Sequence, residues 1–526
     1  MKTYSIYKPS ASRSATPRDA IVIGSGMGGM ACAATLAKFG KRVLLLEQHY
    51  MPGGFAQTFS RKGYTWDVGV HCVGEMGPRS MPGKILSWLT NDKVEMEPIG
   101  KAYDTVFLPG GVVFEYPDNW REFKKRLEDM FPEEKDAIAK YFELIWKVSK
   151  SVRPFLLLRT LPPVLHKIGL QLFHRKVDYW TRTTTEVLDE LTGNARLKSI
   201  LTAQWGGYGV IPKRSCFALH ALVIRHFWNG GYFPSGGSQK MVDHLLQTVK
   251  DAGGETLVRA SVEEILVRRG KAVGVRLHGG EEIFAPIVVS AAGARSTIER
   301  LLPEKLKKTR WATDILKIPQ SSGCVCLNLG LQGDVVAAGG TPSNQWLFET
   351  WDMDAAAYWD VNKPNSIAPA LYLSFSSLKD PKHVPGPEQR HTCEVITFVP
   401  WDAFSKWQHT RRGNRDPEYV AFKKDLEERL LRQLKSHLPK LVDLIKYHEL
   451  STPLSSTFFT RAPQGAIYGL EATPQRFMSP RLGTRTPIKN MYMAGGDVAV
   501  LGVIGAMIGG VLAACTIKPR AFTKLL

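Results

Sequence analysis

Cysteine is scarce in this chain: seven residues among 526, at positions 32, 72, 216, 324, 326, 393 and 515. So odd and scattered a set excludes a disulfide framework and points to a reducing compartment, the cytoplasm. Cys324 and Cys326 alternate with apolar residues as a buried strand does. Nothing has the spacing of a zinc site, so no metal is expected. Long apolar runs are equally rare. Residues 498–515 lack any charge, but Gly502, Gly505, Gly509 and Gly510 interrupt them. That predicts a buried helix rather than a membrane span. Residues 1–18 carry four basic side chains and no apolar core segment. They exclude a secretory signal and read as a flexible tail. No internal repeat, helix-turn-helix, zinc finger or RNP-type strand occurs, so no nucleic acid is expected as a partner.

Acid is the other shortage. There are 49 Asp and Glu against 69 Lys and Arg, a formal charge of +20, and such an excess calls for an anionic partner. Residues 151–177 hold five basic side chains, two histidines and no acid, among the clusters Phe155-Leu156-Leu157-Leu158 and Leu170-Gln171-Leu172-Phe173. Long apolar side chains beside Lys and Arg suit a helix lying in an anionic bilayer interface. Arg159, Lys167, Arg175 and Lys176 are expected to hold that membrane surface, giving a cytoplasmic, peripherally membrane-associated protein. An ordinary packed helical face is the alternative. What the chain does possess is 44% apolar residues with 10% aromatics, enough for a sizeable core.

Residues 20–23 are a short continuous apolar run, hence a buried parallel-type strand. A small-residue helix over 30–39 and a second strand over 42–47 complete a β-α-β unit. Further strands are expected at 255–258, 261–268, 272–277 and 282–289. Residues 76–233 read as mainly helical, with breaks at Pro154 and Pro162-Pro163. Strand patterns return at 323–329, 370–375 and 393–399, a charged helix covers 418–437, and a last strand, 491–494, leads into the glycine-rich helix. Nucleotide-type segments are thus interleaved with other material.

Between the first strand and helix lies Gly24-Ser25-Gly26-Met27-Gly28-Gly29, and Glu47 ends the second strand. Gly24 permits the tight turn, Gly26 lets backbone approach a pyrophosphate, and Gly29 lets helix and strand pack closely. The helix N-terminus offers free N–H groups to the phosphates. Glu47, with Gln48 beside it, suits a ribose diol and repels a 2′-phosphate. The fold class that follows is α/β: a discontinuous Rossmann-type dinucleotide domain with an inserted substrate domain of mixed sheet and helices.

Pro52-Gly53-Gly54 follows the acidic residue, and Asp67-Val68-Gly69-Val70-His71 comes soon after. Here the sequence resembles the flavoprotein amine-oxidase and phytoene-desaturase superfamily, in which a double glycine after the first β-α-β unit lines the FAD pocket. The resemblance continues through Phe233-Pro234-Ser235-Gly236-Gly237 to Ser290-Ala291-Ala292-Gly293, and at Thr486 to Asp497. It implies non-covalent FAD in a glutathione-reductase-like domain, since the last cysteine before the C-terminal motif is the distant Cys393. It also implies roles for Val262 at the adenine, for Gly293, Gly496 and Asp497 at the ribityl–pyrophosphate region, and for Val503 and Ile504 at the isoalloxazine. The parts expected are FAD segments at 17–75, 234–300 and 484–518, a helical substrate and membrane part at 76–233, and a substrate domain at 301–483.

Within that superfamily the chain is most similar to the carotenoid branch, closest to the retinol saturases, through Asp67 to His71 and Pro463 to Gly469. That implies a lipophilic polyene substrate, a carotenoid or retinoid, with a C=C bond saturated by hydride transfer from flavin N5. His71 and Tyr468 are the candidate proton donors. Only one dinucleotide fingerprint is present, so an external electron donor or acceptor is expected. Desaturation and reduced-flavin cis-trans isomerisation stay open. So do an amine oxidase, which needs a lysine near the flavin that the sequence does not place, and a non-enzymatic lipid-binding protein like the Rab GDP-dissociation inhibitors.

Overall fold

The computed structural model describes residues 3–9 and 17–522. Strands Ala20–Ile23 and Val43–Leu46 are buried at every residue and pair in parallel, as continuous apolar runs do when both sheet faces are covered. Val288–Ser290 and Met491–Met493 extend the sheet on one side, and Glu255–Val258 on the other. Ser5–Ile6 adds a sixth strand parallel to Glu255–Val258. That part of the expected tail is therefore a sheet edge; residues 1–2 and 10–16 lie outside the described residues. The sheet is parallel throughout and collects strands from both ends and the middle of the chain.

A second sheet has seven strands, in the order Ile445–Ser451, Gly323–Gln332, Arg390–Val399, Ala370–Ser374, Asn344–Phe348, Ala102–Leu108 and Val112–Pro117. Asn344–Phe348 and Ala102–Leu108 run parallel and the other neighbours antiparallel. The last two strands correct the expectation of a mainly helical 76–233 segment. Their β-branched and aromatic runs, joined at Gly110-Gly111, make a hairpin. The helix Lys135–Leu158 continues through Pro154, and the chain breaks only before Pro163–Lys176. The strand expected over 282–289 is divided into Glu282–Phe284 and Val288–Ser290, which belong to different sheets. Pro286, with no N–H for a ladder bond, stands between them.

The uncharged C-terminal run forms the helix Gly502–Ile517, buried along most of its length against Met27–Lys38. Among the described residues no helix is long and apolar enough to cross a membrane. The two helices meet backbone to backbone. A Cβ on Gly510 would sit 2.1 Å from the Gly28 carbonyl oxygen, one on Gly509 2.1 Å from that of Gly495, and one on Gly28 2.5 Å from the Gly495 Cα. Because backbone cannot give way there, Gly510→Ala is expected to cost about 1–3 kcal/mol or more of stability, read as a lowered denaturant midpoint. An unchanged midpoint would mean the helices are free to separate.

Candidate active site

A cavity of ≈ 1120 Å³ is lined by residues of both sheets. It exceeds the roughly 300–1,000 Å³ of single-ligand sites, leaving room for a cofactor and a substrate together. At its dinucleotide end Gly24 turns the chain with φ +94°, and its N–H donates to the Leu46 carbonyl at 2.8 Å. Gly26 caps the helix without a side-chain cap, and a Cβ there would meet nothing within 4 Å. Its Cα is open to the cavity. At Gly29 a Cβ would lie 1.9 Å from the Gly24 oxygen. The Glu47 carboxylate accepts the Ser25 N–H at 2.9 Å, the Ser25 hydroxyl at 2.6 Å and the His49 N–H at 2.7 Å. These use three of its roughly four acceptor positions, so one remains for a ribose hydroxyl.

The opposite wall comes from the C-terminal part of the chain. Asp497 accepts the Ala294 N–H at 2.7 Å through Oδ2 and the Leu470 N–H at 2.9 Å through Oδ1, tying three chain segments together. Next to it the helix Gly502–Ile517 starts without a side-chain cap, and Gly502, Val503 and Ile504 face the cavity. Two arginines the sequence does not single out, exposed Arg300 and half-buried Arg461, also line it, and neither makes an ion pair among the described residues. Burial lowers both guanidinium pKa values, with the Glu47 and Glu263 carboxylates pulling Arg461 back up. Gly26 open to the void, uncapped helix starts and unpaired arginines fit a bound dinucleotide diphosphate.

Gly24, Gly26, Met27, Gly28, Glu47, Gln48, Gly54, Val262, Gly293, Gly496, Asp497, Val503, Ile504, His71 and Tyr468 all line this one cavity. Gly29 and Gly53 stand one layer behind it. The Gly53 N–H donates to the Ser25 carbonyl and hydroxyl, each at 3.1 Å. The Gln48 amide donates to the Phe459 carbonyl at 2.6 Å. Cys72, Cys324 and Cys326 line the cavity as thiols, with burial pushing Cys72 and Cys324 up to about 12.

Away from the dinucleotide turn the cavity is walled by Trp205, Trp346, Tyr372, Ile396 and Phe398. His71 stacks edge-on to Tyr372 at 5.6 Å, and burial lowers its pKa to about 3, so the ring is neutral at pH 7. The Tyr468 hydroxyl donates to the Gly206 carbonyl at 3.4 Å, and burial keeps it a phenol. Behind this wall lies a lysine after all. Lys379 donates to the His71 carbonyl at 2.9 Å, to the Ser374 hydroxyl at 2.7 Å and to Asn344 Oδ1. Burial lowers its pKa and raises that of its neighbour Glu394. With three donors engaged it does not reach the void. No local pattern announces it, because its partners come from positions 71, 344 and 374.

The family description "flavin containing amine oxidoreductase" matches residues 27–518. The chain belongs to that family. This flavoprotein is accordingly an oxidoreductase whose cofactor is FAD. It is 32% identical to the all-trans-retinol 13,14-reductase of Danio rerio, over 97% of this chain and 87% of that one. It is 26% identical to the chloroplastic prolycopene isomerase of Arabidopsis thaliana, over 94% and 82%. In fold it is similar to the cyclohexylamine oxidase of Brevibacterium oxydans: TM-score 0.60, 15% identity, 97% and 100% covered.

Burial holds the flavoprotein's His71, His166 and His220 neutral down to about pH 3 and His174 to about 4, whereas an unfolded histidine takes its proton near 6.5. Between those values the unfolded chain binds more protons, so this stability is present above pH 6.5 and is lost as pH falls. Asp67, Asp104, Asp354, Glu394 and Glu471, all raised by burial, act in the opposite sense, but His49, His244 and His391 are also lowered by burial, so seven rings outnumber five carboxyls. The thermal midpoint is expected to drop steadily from pH 6.5 to 4.5. A flat profile would refute neutral burial of these rings.

Proposed function

We propose that the chain saturates one C=C bond of a conjugated polyene lipid, a retinoid or carotenoid, while docked on an anionic membrane. The observation that carries this reading is the continuity of the cavity. It runs from the Gly24–Glu47 turn to an aromatic wall, in a chain whose relatives named for retinol 13,14-reduction align over 97% of it. When bound, FAD supplies hydride chemistry. The chain's own part is to hold it through Gly24, Gly26, Glu47 and Asp497, with Arg300 and Arg461 facing its diphosphate, and to exclude water from the polyene with aromatic side chains. Tyr468, protonated, is the group that keeps a proton at the cavity wall; neutral His71 positions Tyr372. Electrons come from an external donor, since one dinucleotide turn serves one cofactor. Isomerisation is the second reading, favoured by the kinship to the prolycopene isomerase.

The membrane part rests on the helix Pro163–Lys176. Val164, Leu165, Ile168 and Leu172 are 70%, 54%, 49% and 55% exposed on one face, beside exposed Lys167, Arg175 and Lys176. His166 and Leu170 are buried on the other face. Val152 and Leu156 of the preceding helix, which packs against this one, line the cavity. Arg159, expected among the membrane-facing bases, is instead buried, donating to the carbonyls of Phe477, Ser479 and Leu482. It is a packing residue because backbone carbonyls satisfy its guanidinium.

Anaerobic incubation of the reduced protein with a panel of retinoids and carotenoids is expected to yield a product heavier by two hydrogens. A product lighter by two would make it a desaturase, and an unchanged mass with a shifted spectrum an isomerase. No reaction in any redox state would refute the substrate class. For docking, Lys167→Ser with Arg175→Ser and Lys176→Ser is expected to weaken binding to anionic liposomes by about 1 kcal/mol per base and to flatten its salt dependence. Unaltered binding would place the attachment elsewhere.

A further inference from the structure

Tyr372 stands in the aromatic wall, in the middle of the strand Ala370–Ser374, with Trp346 and Ile396 as its cross-strand neighbours. The Trp346 ring packs on it at 4.5 Å and His71 meets it edge-on at 5.6 Å, so the ring is held in place. Although its strand is interior, the side chain is only half-buried, and what it leaves open faces the cavity it lines. Its hydroxyl makes no hydrogen bond to any described residue and is not sealed off from the void. The other phenol of this wall differs, because Tyr468 gives its O–H to the Gly206 carbonyl. Asp104 lies close to Tyr372, and its carboxylate is taken up by the Asn344 amide at 2.8 Å and the Gln204 amide at 2.5 Å. Lys379 fixes Asn344 in turn by donating to its amide oxygen. The carboxylate is thus held away from the phenol, whose O–H stays unengaged.

We propose that Tyr372 is a catalytic proton donor, the phenol that supplies the second hydrogen when the polyene C=C bond is saturated. The inference rests on the saturation reading above. One alkene carbon takes the hydride that reduced FAD supplies, and the π pair moves to the neighbouring carbon. There it forms a C–H bond with the Tyr372 proton as the O–H bond breaks. The alkene gains two electrons, the flavin loses two, and the phenolate recovers a proton from water once the product leaves. Trp205, Ile396 and Phe398 in the same wall keep bulk water from the reacting bond, so a fixed side chain has to carry the proton. A carbon left holding the π pair is a far stronger base than a phenolate, so a phenol is acid enough. Burial, with Asp104, Cys72, Tyr468 and Glu394 adding repulsion, raises the Tyr372 pKa well above the usual phenol range. The proton therefore stays on the oxygen until an electron pair on carbon takes it.

The test uses the FAD-loaded full chain, reduced anaerobically, with all-trans-retinol or, where that does not react, lycopene. Because both transferred hydrogens exchange with solvent beforehand, the native product made in D2O is expected to carry deuterium on each new C–H carbon, each in one configuration by NMR. Tyr372→Phe is expected to slow reoxidation of the flavin by the polyene about 10²–10⁴-fold. The variant's flavin spectrum and its affinity for the polyene, read by tryptophan quenching, are expected to be unchanged. Its slow product is expected to keep one configuration at the hydride-receiving carbon and to show both at the other, since water then delivers from either face. Native-like rate and configuration in Tyr372→Phe would overturn the assignment and leave saturation intact. So would mixed configuration at one carbon of the native product, a measurement that needs no variant. A loss of affinity as large as the loss of rate would make Tyr372 a binding group and overturn its role as donor. Failure of the native protein to saturate either polyene would overturn the reading on which the inference rests.

Discussion

The first and last long helices of the parallel-sheet layer meet backbone against backbone at Gly28 and Gly510, and the rest of the architecture depends on that contact. Gly28 on one side and Gly509 and Gly510 on the other leave no space for a Cβ. The closeness brings two uncapped helix starts, at Gly26 and Leu501, to the same void. Each presents the unsatisfied N–H groups and positive dipole end that an anionic or electron-rich ligand favours. Any side chain inserted between the helices would spread the void and misalign both ends. Packing and cofactor chemistry are here one constraint.

The cavity also carries a gradient of polarity. At the dinucleotide end the groups are a carboxylate among donors and two unpaired arginines, which suit sugar and phosphate. At the far end aromatic rings dominate, interrupted by the Asp104 cluster. A long apolar molecule matches the second half, as a dinucleotide matches the first. This division lets a chain with +20 net charge keep an aromatic wall: Arg300 and Arg461 line the cavity elsewhere, and many other bases lie outside.

Legibility from the sequence followed the distance over which an interaction acts. Gly24, Gly26, Gly29 and Glu47 fall within one β-α-β unit, so their spacing alone announced the turn, and the structure gathers all but Gly29 with Asp497 and Val262 at one void. The helix 498–515 was legible as buried because its glycines spoil a lipid-facing surface. The Asp104–Asn344–Lys379 cluster was not, since its members come from two remote strands and one short helix. Arg159 misled for a related reason: it lies in a basic stretch, but the carbonyls that bury it come from residues 477–482. The hairpin after Ala102 was hidden by its helical surroundings. Ser5–Ile6, only two residues long, had no pattern to read.

The parallel sheet has a consequence in time. Its strand Met491–Met493 pairs with Val288–Ser290, and the helix that closes the cofactor wall is later still. About 200 residues separate the two strands, and a ribosome adds about 5–20 residues per second, so the nascent chain spends roughly 10 to 40 seconds with that strand position empty. During this interval the edge of Val288–Ser290 is an open template, and the apolar strands beside it await a partner made last. Cofactor loading is thereby a post-synthetic event, and an unfinished chain has no complete pocket in which to hold it.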